Sequence, residues 1–250
     1  MRSWRSPTSL LWLSAHLVLV FVGMLLVTTE GQRFLGATLA QSLGSGLLAT
    51  GIAGLALYLY VRQYEQMQHR LEVITRAGIS SVFPHRSVRI KEHYDRRLRS
   101  AKQIDLIGLG LSSFREDYAP EFAHWSHRAK VRVLVLDPDF PTKADSLADY
   151  RDLEEGGTKG EIRSAVEAFE KAVNNDPAIN RTYFEVRRMR SVPVMNLLRI
   201  DDEIFWGPYL MTERSRNTPT LLVHRGGFMF NRLERHFEAT WDAAAPPAQE

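Results

Sequence analysis

The sequence contains no cysteine, and two long segments near its N-terminus contain no formally charged residue. Without cysteine, neither a disulfide framework nor a cysteine-based metal site is available to the fold. The uncharged segments cover residues 10–29 and 34–61, and a membrane-spanning helix needs about 20 predominantly apolar residues. Since the second segment lies far beyond the reach of a signal-peptide cleavage, the two together predict two transmembrane helices within residues 1–61.

The basic residues that flank the two predicted spans indicate an orientation. The connecting loop holds only Glu30 and Arg33, whereas the outer flanks hold Arg2, Arg5, Arg62, His69, Arg70 and Arg76. Positive flanks face the cytoplasm. We therefore expect a two-pass protein of the inner (plasma) membrane, with the lipid bilayer as a partner and with both termini in the cytoplasm, which agrees with the absence of cysteine.

Small and polar residues within the spans are candidates for helix packing or for a pore. Small residues recur in four-residue steps in the second span, which places them along one helical face where backbones can approach closely. The pattern leaves open whether they pack the two helices of one chain together or form an oligomeric contact or pore lining. Polar residues at this depth usually face protein or water. The candidates are His16, Gln41, Gly44, Gly46, Thr50 and Gly54.

A helical stalk is predicted over residues 62–78, continuing the second span. Apolar residues recur at alternating steps of four and three, which is the spacing of a short coiled-coil seam. The seam consists of Tyr60, Tyr64, Met67, Leu71 and Ile74. It predicts that the protein associates with itself as a homo-oligomer next to the membrane.

Strand and helix patterns alternate over residues 79–242, which predicts an α/β domain with a mixed sheet covered by helices. The clearest strand is KVRVLVL at 130–136, and 203–206 forms a hairpin with the strand before it. Helices are predicted over 87–100, over 114–129 despite Pro120, over 143–175 with a break at Gly156-Gly157, and over 228–242. The segment 243–250, AAAPPAQE from Ala243, is predicted to be a disordered tail.

Several segments of this domain, in order, resemble the phospholipase D superfamily. They are QIDLIGLGLSSF at 103–114, KVRVLVLDP at 130–138, TYFEVRRM at 182–189 and LLRIDDEIFWGPYL at 197–210. The last resembles the catalytic hairpin of that family, whose pattern is H-x-K-x4-D. The resemblance implies a phospholipase D-like fold over roughly one family repeat.

This chain departs from the family pattern at the catalytic pair. Counting back from Asp201 gives Val194 and Asn196 at the His and Lys positions, and counting back from Asp202 gives Met195 and Leu197. None of these side chains can act as nucleophile or cation. We therefore expect no phosphodiester cleavage by the family mechanism, no catalytic residue in the hairpin and no cofactor. His124 and His127 have a metal-compatible spacing, but nothing in the sequence completes a metal site.

What remains around the hairpin is polar and basic, with aromatic residues nearby. Arginine binds phosphate through its planar fork and stacks on bases, so an anionic nucleotide or short nucleic acid is the expected ligand. The alternative is that these arginines only solvate the outer face of a strand. The candidate ligand-binding residues are His85, Arg86, Ser112, Arg187, Asn196, Arg199 and Tyr209, and the wider basic set adds Arg188, Arg190, His224 and Arg225.

Three hypotheses for function follow from these features. The first is a ligand-gated membrane effector or sensor, whose layout resembles two-span, pore-forming effectors of bacterial anti-phage defence. Its ligand would be a nucleotide signal, made by a partner nucleotidyltransferase. The second is a membrane-anchored phosphodiesterase of phospholipid or nucleic acid that uses His85, His224 or His236. The third is a passive scaffold without a ligand.

Overall fold

A computed structural model describes residues 7–85, 88–214 and 217–244. The chain divides into two compact units, Met1–Glu72 and Val73–Glu250. The charged residues Arg2 and Arg5, on which the predicted orientation partly depends, lie outside the described residues, as do Arg86 and the tail from residue 245 onward.

The first unit is helical, as the sequence predicts. It contains α1 (Pro7–Val27), α2 (Thr29–Leu35) and most of the long helix α3 (Ala37–Ala77), which is continuous over the residues predicted as a stalk and whose last residues belong to the second unit. The segments Leu10–Val27 and Ala37–Tyr64 are long and apolar enough to cross a membrane. Their insertion and their orientation remain predictions. The short helix α2 was not expected from the sequence; it fills the predicted loop between the spans.

Glycines allow α1 and α3 to pack closely. The backbone carbonyl of Gly23 lies against Gly44, and a side chain at Gly54 would collide with the His16 ring. Gly51 faces the backbone carbonyl of His16 at the same interface. These contacts assign His16, Gly44 and Gly54 to packing within one chain, because each is occupied by the neighbouring helix.

The second unit contains one mixed sheet of seven strands in the order β1-β7-β6-β5-β2-β3-β4. The strands β2, β3 and β4 are parallel, and β5, β6, β7 and β1 continue the sheet in antiparallel pairs. Their bounds are Ile79–Phe83 (β1), Gln103–Gly108 (β2), Lys130–Leu136 (β3), Phe184–Met189 (β4), Met195–Ile200 (β5), Glu203–Pro208 (β6) and Thr220–His224 (β7). The mixed α/β architecture predicted from the sequence is therefore present.

Helices cover both faces of this sheet. The last helix, α9, packs on one face, where Phe230, Leu233, Phe237 and Trp241 are buried. The opposite face is covered by helices that include α4 and α8, and Phe122 at the start of α6 packs against Phe184 of β4. The bounds of the helices are Val88–Leu98 (α4), Ser112–Tyr118 (α5), Phe122–Ser126 (α6), Leu147–Glu154 (α7), Glu161–Asn174 (α8) and Phe228–Ala243 (α9).

The predicted helix over residues 114–129 is divided in the structure. A 3₁₀ turn at Ala119–Glu121 separates α5 from α6, and it contains Pro120, which lacks the backbone N–H that a continuous α-helix requires. The predicted break at Gly156-Gly157 is present between α7 and α8, where Gly156 has a φ of 74°.

Candidate ligand cleft

The β5–β6 hairpin is built as its sequence predicts, with a two-residue turn at Asp201-Asp202. Asp201 has a positive φ of 52°, and its carboxylate accepts hydrogen bonds of 2.8 Å from the backbone N–H groups of Lys102 and Gln103. The carboxylate of Asp202 pairs with Arg225 at 2.7 Å. Both carboxylates of the turn therefore stabilise the sheet rather than project together toward a cation.

A cleft opens where β2 ends and β5 begins. At this point the sheet changes from parallel to antiparallel pairing, since β2 pairs with β3 on one side and with β5 on the other. In α/β folds a crevice forms where the loops that follow two neighbouring strands run in opposite directions. The cavity measures about 210 Å³. Its walls come from the segment 108–114, from α7 and the start of α8, from Asn196, and from Tyr209 after β6.

Glycines permit the chain to form the walls of the cleft. A side chain at Gly110 would lie 2.6 Å from the Cβ of Ala165 in α8, and one at Gly207 would lie 2.4 Å from the backbone carbonyl of Pro219. Contacts this short do not occur between real side-chain and backbone atoms, so both positions require glycine. The loop after β2 can therefore lie directly against α8.

One wall of the cleft carries carboxylates. Asp152, Glu155 and Glu161 all line it, and the side chain of Asp152 is almost fully buried, with an exposed fraction of 4%. Burial raises the pKa of Asp152 to about 6, although backbone N–H groups at the start of α8 oppose the shift. Its oxygens accept hydrogen bonds from the N–H groups of Gly160 at 2.9 Å and Ile162 at 3.1 Å. Asp152 thus holds the first turn of α8 in place.

Arg151 attaches the segment after β6 to the acidic wall. Its guanidinium donates to the backbone carbonyls of Leu210 at 2.8 Å and Glu213 at 3.1 Å, and to the carboxylate of Glu155 at 2.8 Å. It also lies 5.7 Å from the centre of the Tyr209 ring. Burial raises the pKa of the Tyr209 hydroxyl, with a weaker opposing hydrogen bond from the Leu109 backbone, so the hydroxyl stays protonated and available as a donor.

Three polar side chains of the cleft are uncommitted. In the described part of the chain, no protein hydrogen bond holds the side chains of Ser112, Ser113 or Asn196, and all three line the cavity. Polar groups in a cleft are normally satisfied by protein, water or ligand. These hydroxyls and this amide can therefore serve a bound molecule without breaking any interaction of the fold.

The structure brings three of the predicted ligand-binding residues together and separates the others. Ser112, Asn196 and Tyr209 share the cleft. His85 follows β1 at an exposed position and does not line the cleft. Arg86 lies outside the described residues. The cleft is lined by three carboxylates and by neither Arg187 nor Arg199, which differs from the basic pocket that the sequence suggested.

Arg199 is part of a buried charge network beneath α9. Its exposed fraction is 4%, and it contacts Glu234 at 3.0 Å and the fully buried Asp105 at 3.5 Å. Arg132 lies on β3, on the other side of the strand that carries Asp105. It donates to both oxygens of Asp105 at 2.8 and 3.1 Å and to both oxygens of Glu238 at 2.7 Å. The network attaches α9 to the sheet and occupies the guanidinium of Arg199.

The other described arginines of the predicted basic set also have partners within the domain. Successive strand residues point to opposite faces, so Arg187 reaches Trp241 of α9 and Arg188 reaches Glu170 of α8. Arg190 pairs with Asp137, and Arg225 pairs with Asp202. Alternation along the strand, together with the local carboxylates, explains why these residues do not converge on one open basic surface.

The other candidates for helix packing or a pore, namely Gln41, Gly46 and Thr50, lie away from α1. No atom lies within 4 Å of a side chain placed at Gly46, and the hydroxyl of Thr50 donates to the Gly46 carbonyl at 2.8 Å. Gln41 is exposed. The face of α3 that carries Gly46 is therefore free to contact another helix.

The acidic and hydroxyl groups of the cleft do not resemble a metal site. Among the described residues, no group of three or more His, Asp or Glu side chains is placed to hold a metal ion. Within the same ranges, no histidine lines the cleft. His224 instead contacts Glu203 at 3.1 Å, and His127 contacts the backbone carbonyl of Ala178 at 2.9 Å.

Sequence reasoning missed Arg151, Asp152, Glu155 and Glu161. Their segment, RDLEEGGTKGE, was interpreted only as a helix with a break. The signal that was present is an acidic helix end followed closely by three glycines, which is typical of a functional or tightly packed turn. Its proximity to Asn196 depends on the sheet order and was not visible in the sequence.

Comparisons with known proteins show a distant likeness in fold. No protein-family model and no curated protein sequence matches the chain. Among solved structures, Nuc from Salmonella typhimurium, a phospholipase D family member, aligns with a TM-score of 0.43 and 10% identity, over 68% of this chain and 98% of that chain. TrmBL2, an archaeal chromatin protein with a novel mode of DNA binding, aligns with a TM-score of 0.42 and 12% identity, over 81% of this chain and 70% of that chain. At scores this low neither match assigns a family or an activity, so the function has to be inferred from the residues of this chain.

Proposed function

We propose that this protein is a membrane-attached sensor or effector whose α/β domain binds a small polar ligand in the cleft between β2 and β5 without cleaving it. The observation that carries the proposal is the cleft itself. It combines uncommitted polar groups, Ser112, Ser113 and Asn196, with the protonated hydroxyl of Tyr209, at the point where the sheet changes direction. The apolar helices of the first unit supply the membrane attachment.

The size of the cleft limits the ligand. Its volume is about 210 Å³. Pockets that enclose drug-sized ligands measure about 300–1,000 Å³. The cleft therefore suits a small metabolite, or one part of a larger molecule such as a sugar or a base, and is too small to enclose an oligonucleotide.

The charge of the cleft limits the ligand further. Three carboxylates line it, and Arg151 is engaged by Glu155 and by two backbone carbonyls. Carboxylates repel phosphate and accept hydrogen bonds from hydroxyl and ammonium groups. We therefore favour a neutral or cationic ligand rich in hydroxyl or amino groups. The nucleotide signal suggested by the sequence fits only with its sugar or base inside the cleft and its phosphates outside.

The absence of a catalytic pair supports binding without turnover. Asn196 and Leu197, which take the lysine position in the two registers of the family pattern, line the cleft, and neither is a nucleophile or a cation. Within the described residues, the histidines lie elsewhere. A pore opened by the ligand and a role in anti-phage defence are extensions of this proposal, and what supports them is the pair of apolar helices in the first unit.

Binding can be tested on the full-length protein in detergent with calorimetry and thermal shift. One panel contains polyols, amino sugars and polyamines, and the other contains mononucleotides, cyclic nucleotides and oligonucleotides. We expect a hit in the first panel that is lost in Asn196→Ala and kept in Asn231→Ala, an exposed asparagine on α9. A hit confined to the second panel would support the nucleotide hypothesis instead.

Activity assays separate the proposal from the alternatives. We expect no hydrolysis of phospholipid, single-stranded DNA or RNA by the same preparation. Turnover that is abolished by His85→Ala would establish the phosphodiesterase hypothesis and overturn ours. A failure of both ligand panels, together with absent turnover, would leave the passive scaffold as the better description.

A further inference from the structure

The long helix α3 has a face that the rest of the first unit leaves uncovered. Its inner face carries Gly44, Gly51 and Gly54, which pack on α1. At about 100° per residue, the opposite side of the helix carries Gly46, whose surroundings are open. After Gly46 in the sequence, a residue of α3 returns to this outer side at every third or fourth position.

The outer side carries small residues within the apolar span. They are Ser42, Gly46, Ala49, Ala53 and Ala56, all exposed. Large apolar residues lie to either side of this line, with Ile52 and Leu59 each 59% exposed and Leu57 54% exposed. A line of small residues between large ones forms a groove that another helix can approach closely.

The same outer side becomes a seam of large residues in the stalk. Tyr60 is 66% exposed, Tyr64 53%, Met67 56% and Leu71 49%. Large apolar side chains at this spacing, left uncovered by the described part of the chain, are typical of a coiled-coil seam that lacks its partner. The seam continues the line of small residues on one side of one helix, so a single partner helix can cover both.

The charged residues near the seam are positioned to tolerate a second copy. From the helical geometry, Arg62, Glu72 and Arg76 lie on the side of α3 away from the seam. The uncharged residues Gln63 and Thr75 flank the seam. By the same geometry Arg70 takes a flanking position, and in a parallel pair that position lies opposite Thr75 of the second copy. Two identical helices can therefore meet along the seam without bringing like charges together.

We propose that α3 is a self-association helix, and that two copies of this chain meet in parallel along the line from Ser42 to Leu71. Two identical chains held in one membrane with the same orientation present this line in the same direction and at the same height. The narrow seam, two residues per heptad, fits a two-stranded contact rather than a wide bundle face. The inference names the partner of α3 and stands whether or not the cleft binds a ligand.

Cysteine cross-linking tests the proposal directly, because the chain contains no native cysteine. Single variants Tyr64→Cys, Met67→Cys and Leu71→Cys are oxidised in native membranes and separated without reductant. The matched control is Val73→Cys, which is 56% exposed against 49% for Leu71 and lies about 200° around the helix. We expect the seam variants to form covalent dimers on the order of tenfold more than the control.

Two results of the cross-linking experiment would overturn the proposal. One is the absence of dimers at all three seam positions. The other is an equal yield from Leu71→Cys and Val73→Cys, which indicates random collision or a contact on another face. Cross-linking of the seam to a different protein, with no dimer of this chain, would assign the seam to that protein and equally refute self-association.

A substitution in the span tests whether the small residues belong to the same contact. A Cβ added at Gly46 has no neighbouring atom within 4 Å, so we expect Gly46→Leu to leave the packing of α1 on α3 intact. We expect the dimer dissociation constant, measured by fluorescence energy transfer in detergent, to rise on the order of tenfold, because the helices can no longer approach closely. The control Leu17→Phe adds bulk on α1, at a side chain that is 51% exposed and lies outside the line, and should leave the constant unchanged. A null effect of Gly46→Leu would limit the contact to the stalk and contradict the continuous line proposed here.

Discussion

Replacing Arg132 by methionine should severely destabilise the α/β domain. Arg132 makes four charge-assisted hydrogen bonds, two to Asp105 and two to Glu238, with distances of 2.7–3.1 Å. Methionine retains the apolar stem of the side chain but removes the guanidinium, which lies 4.7 Å from the centre of the Phe237 ring. It leaves the carboxylate of Asp105 fully buried, with only Gln103 at 2.8 Å and Arg199 at 3.5 Å as side-chain partners.

The expected loss follows from the burial of that carboxylate. Removing one partner of a buried ion pair costs about 3–5 kcal/mol, because the other charge remains buried without compensation. An exposed pair is worth about 0–1 kcal/mol. The control is therefore Arg225→Met, since Arg225 is 53% exposed and pairs with Asp202, which is 68% exposed. We expect Arg132→Met to lower the free energy of unfolding by about 4 kcal/mol and Arg225→Met to lower it by less than about 1 kcal/mol.

A second substitution distinguishes the effect of an unpaired buried charge from the effect of lost packing. In the Arg132→Met background, Asp105→Asn removes the uncompensated charge, so the double variant should recover about 2 kcal/mol relative to Arg132→Met alone. Urea unfolding of the full-length protein in mild detergent, followed by near-ultraviolet circular dichroism, measures all four proteins. The reasoning is refuted if Arg132→Met is no more harmful than Arg225→Met, or if Asp105→Asn makes it worse.

Two further predictions concern the cleft and its supporting loop. Because burial raises the pKa of Asp152 to about 6, the folded chain holds this proton to a higher pH than the unfolded chain, and ionisation lowers the stability of the fold as pH rises from about 4 to about 6. Between pH 4 and pH 7, the free energy of unfolding of the wild type should fall by about 2 kcal/mol more than that of Asp152→Asn. Equal pH dependence in the two proteins would contradict the raised pKa of Asp152. Ser146 accepts from the N–H groups of Ala148 and Asp149 and donates to the carbonyl of Pro138, so Ser146→Ala should cost about 1–2 kcal/mol in the same urea assay; a loss below about 0.3 kcal/mol would show that the cap is unimportant.

The elements with a strong local pattern were predicted well from the sequence. Strand β3 was expected over residues 130–136 and is found there, because its run of apolar residues is buried on both faces of the sheet. The face of α4 that carries Ile90, Tyr94 and Leu98 is buried as expected. The second apolar segment and the residues after it form one continuous helix, α3, whose role as a stalk stays a prediction.

The predicted site could be recovered only in part, because its geometry depends on long-range pairing. Ser112, Asn196 and Tyr209 meet since β2 pairs with β5 and β5 with β6, and the family resemblance had placed them near the hairpin. The carboxylate wall from α7 depends on packing of distant segments. Arg199 looked available in the sequence, but its side chain lies beside Asp105 across the sheet, and only the strand register reveals that.

The role of the cleft is tested most directly by identifying what the protein carries when it is purified. Full-length wild type and Asn196→Leu are extracted under the same native conditions, and the small molecules that each releases on denaturation are compared by mass spectrometry. We expect a hydroxyl- or amino-rich compound to be enriched with wild type and strongly reduced with Asn196→Leu, whose apolar side chain fills the cleft. Identical profiles from the two proteins, or a compound that remains bound to Asn196→Leu, would contradict the proposal that this cleft is the binding site.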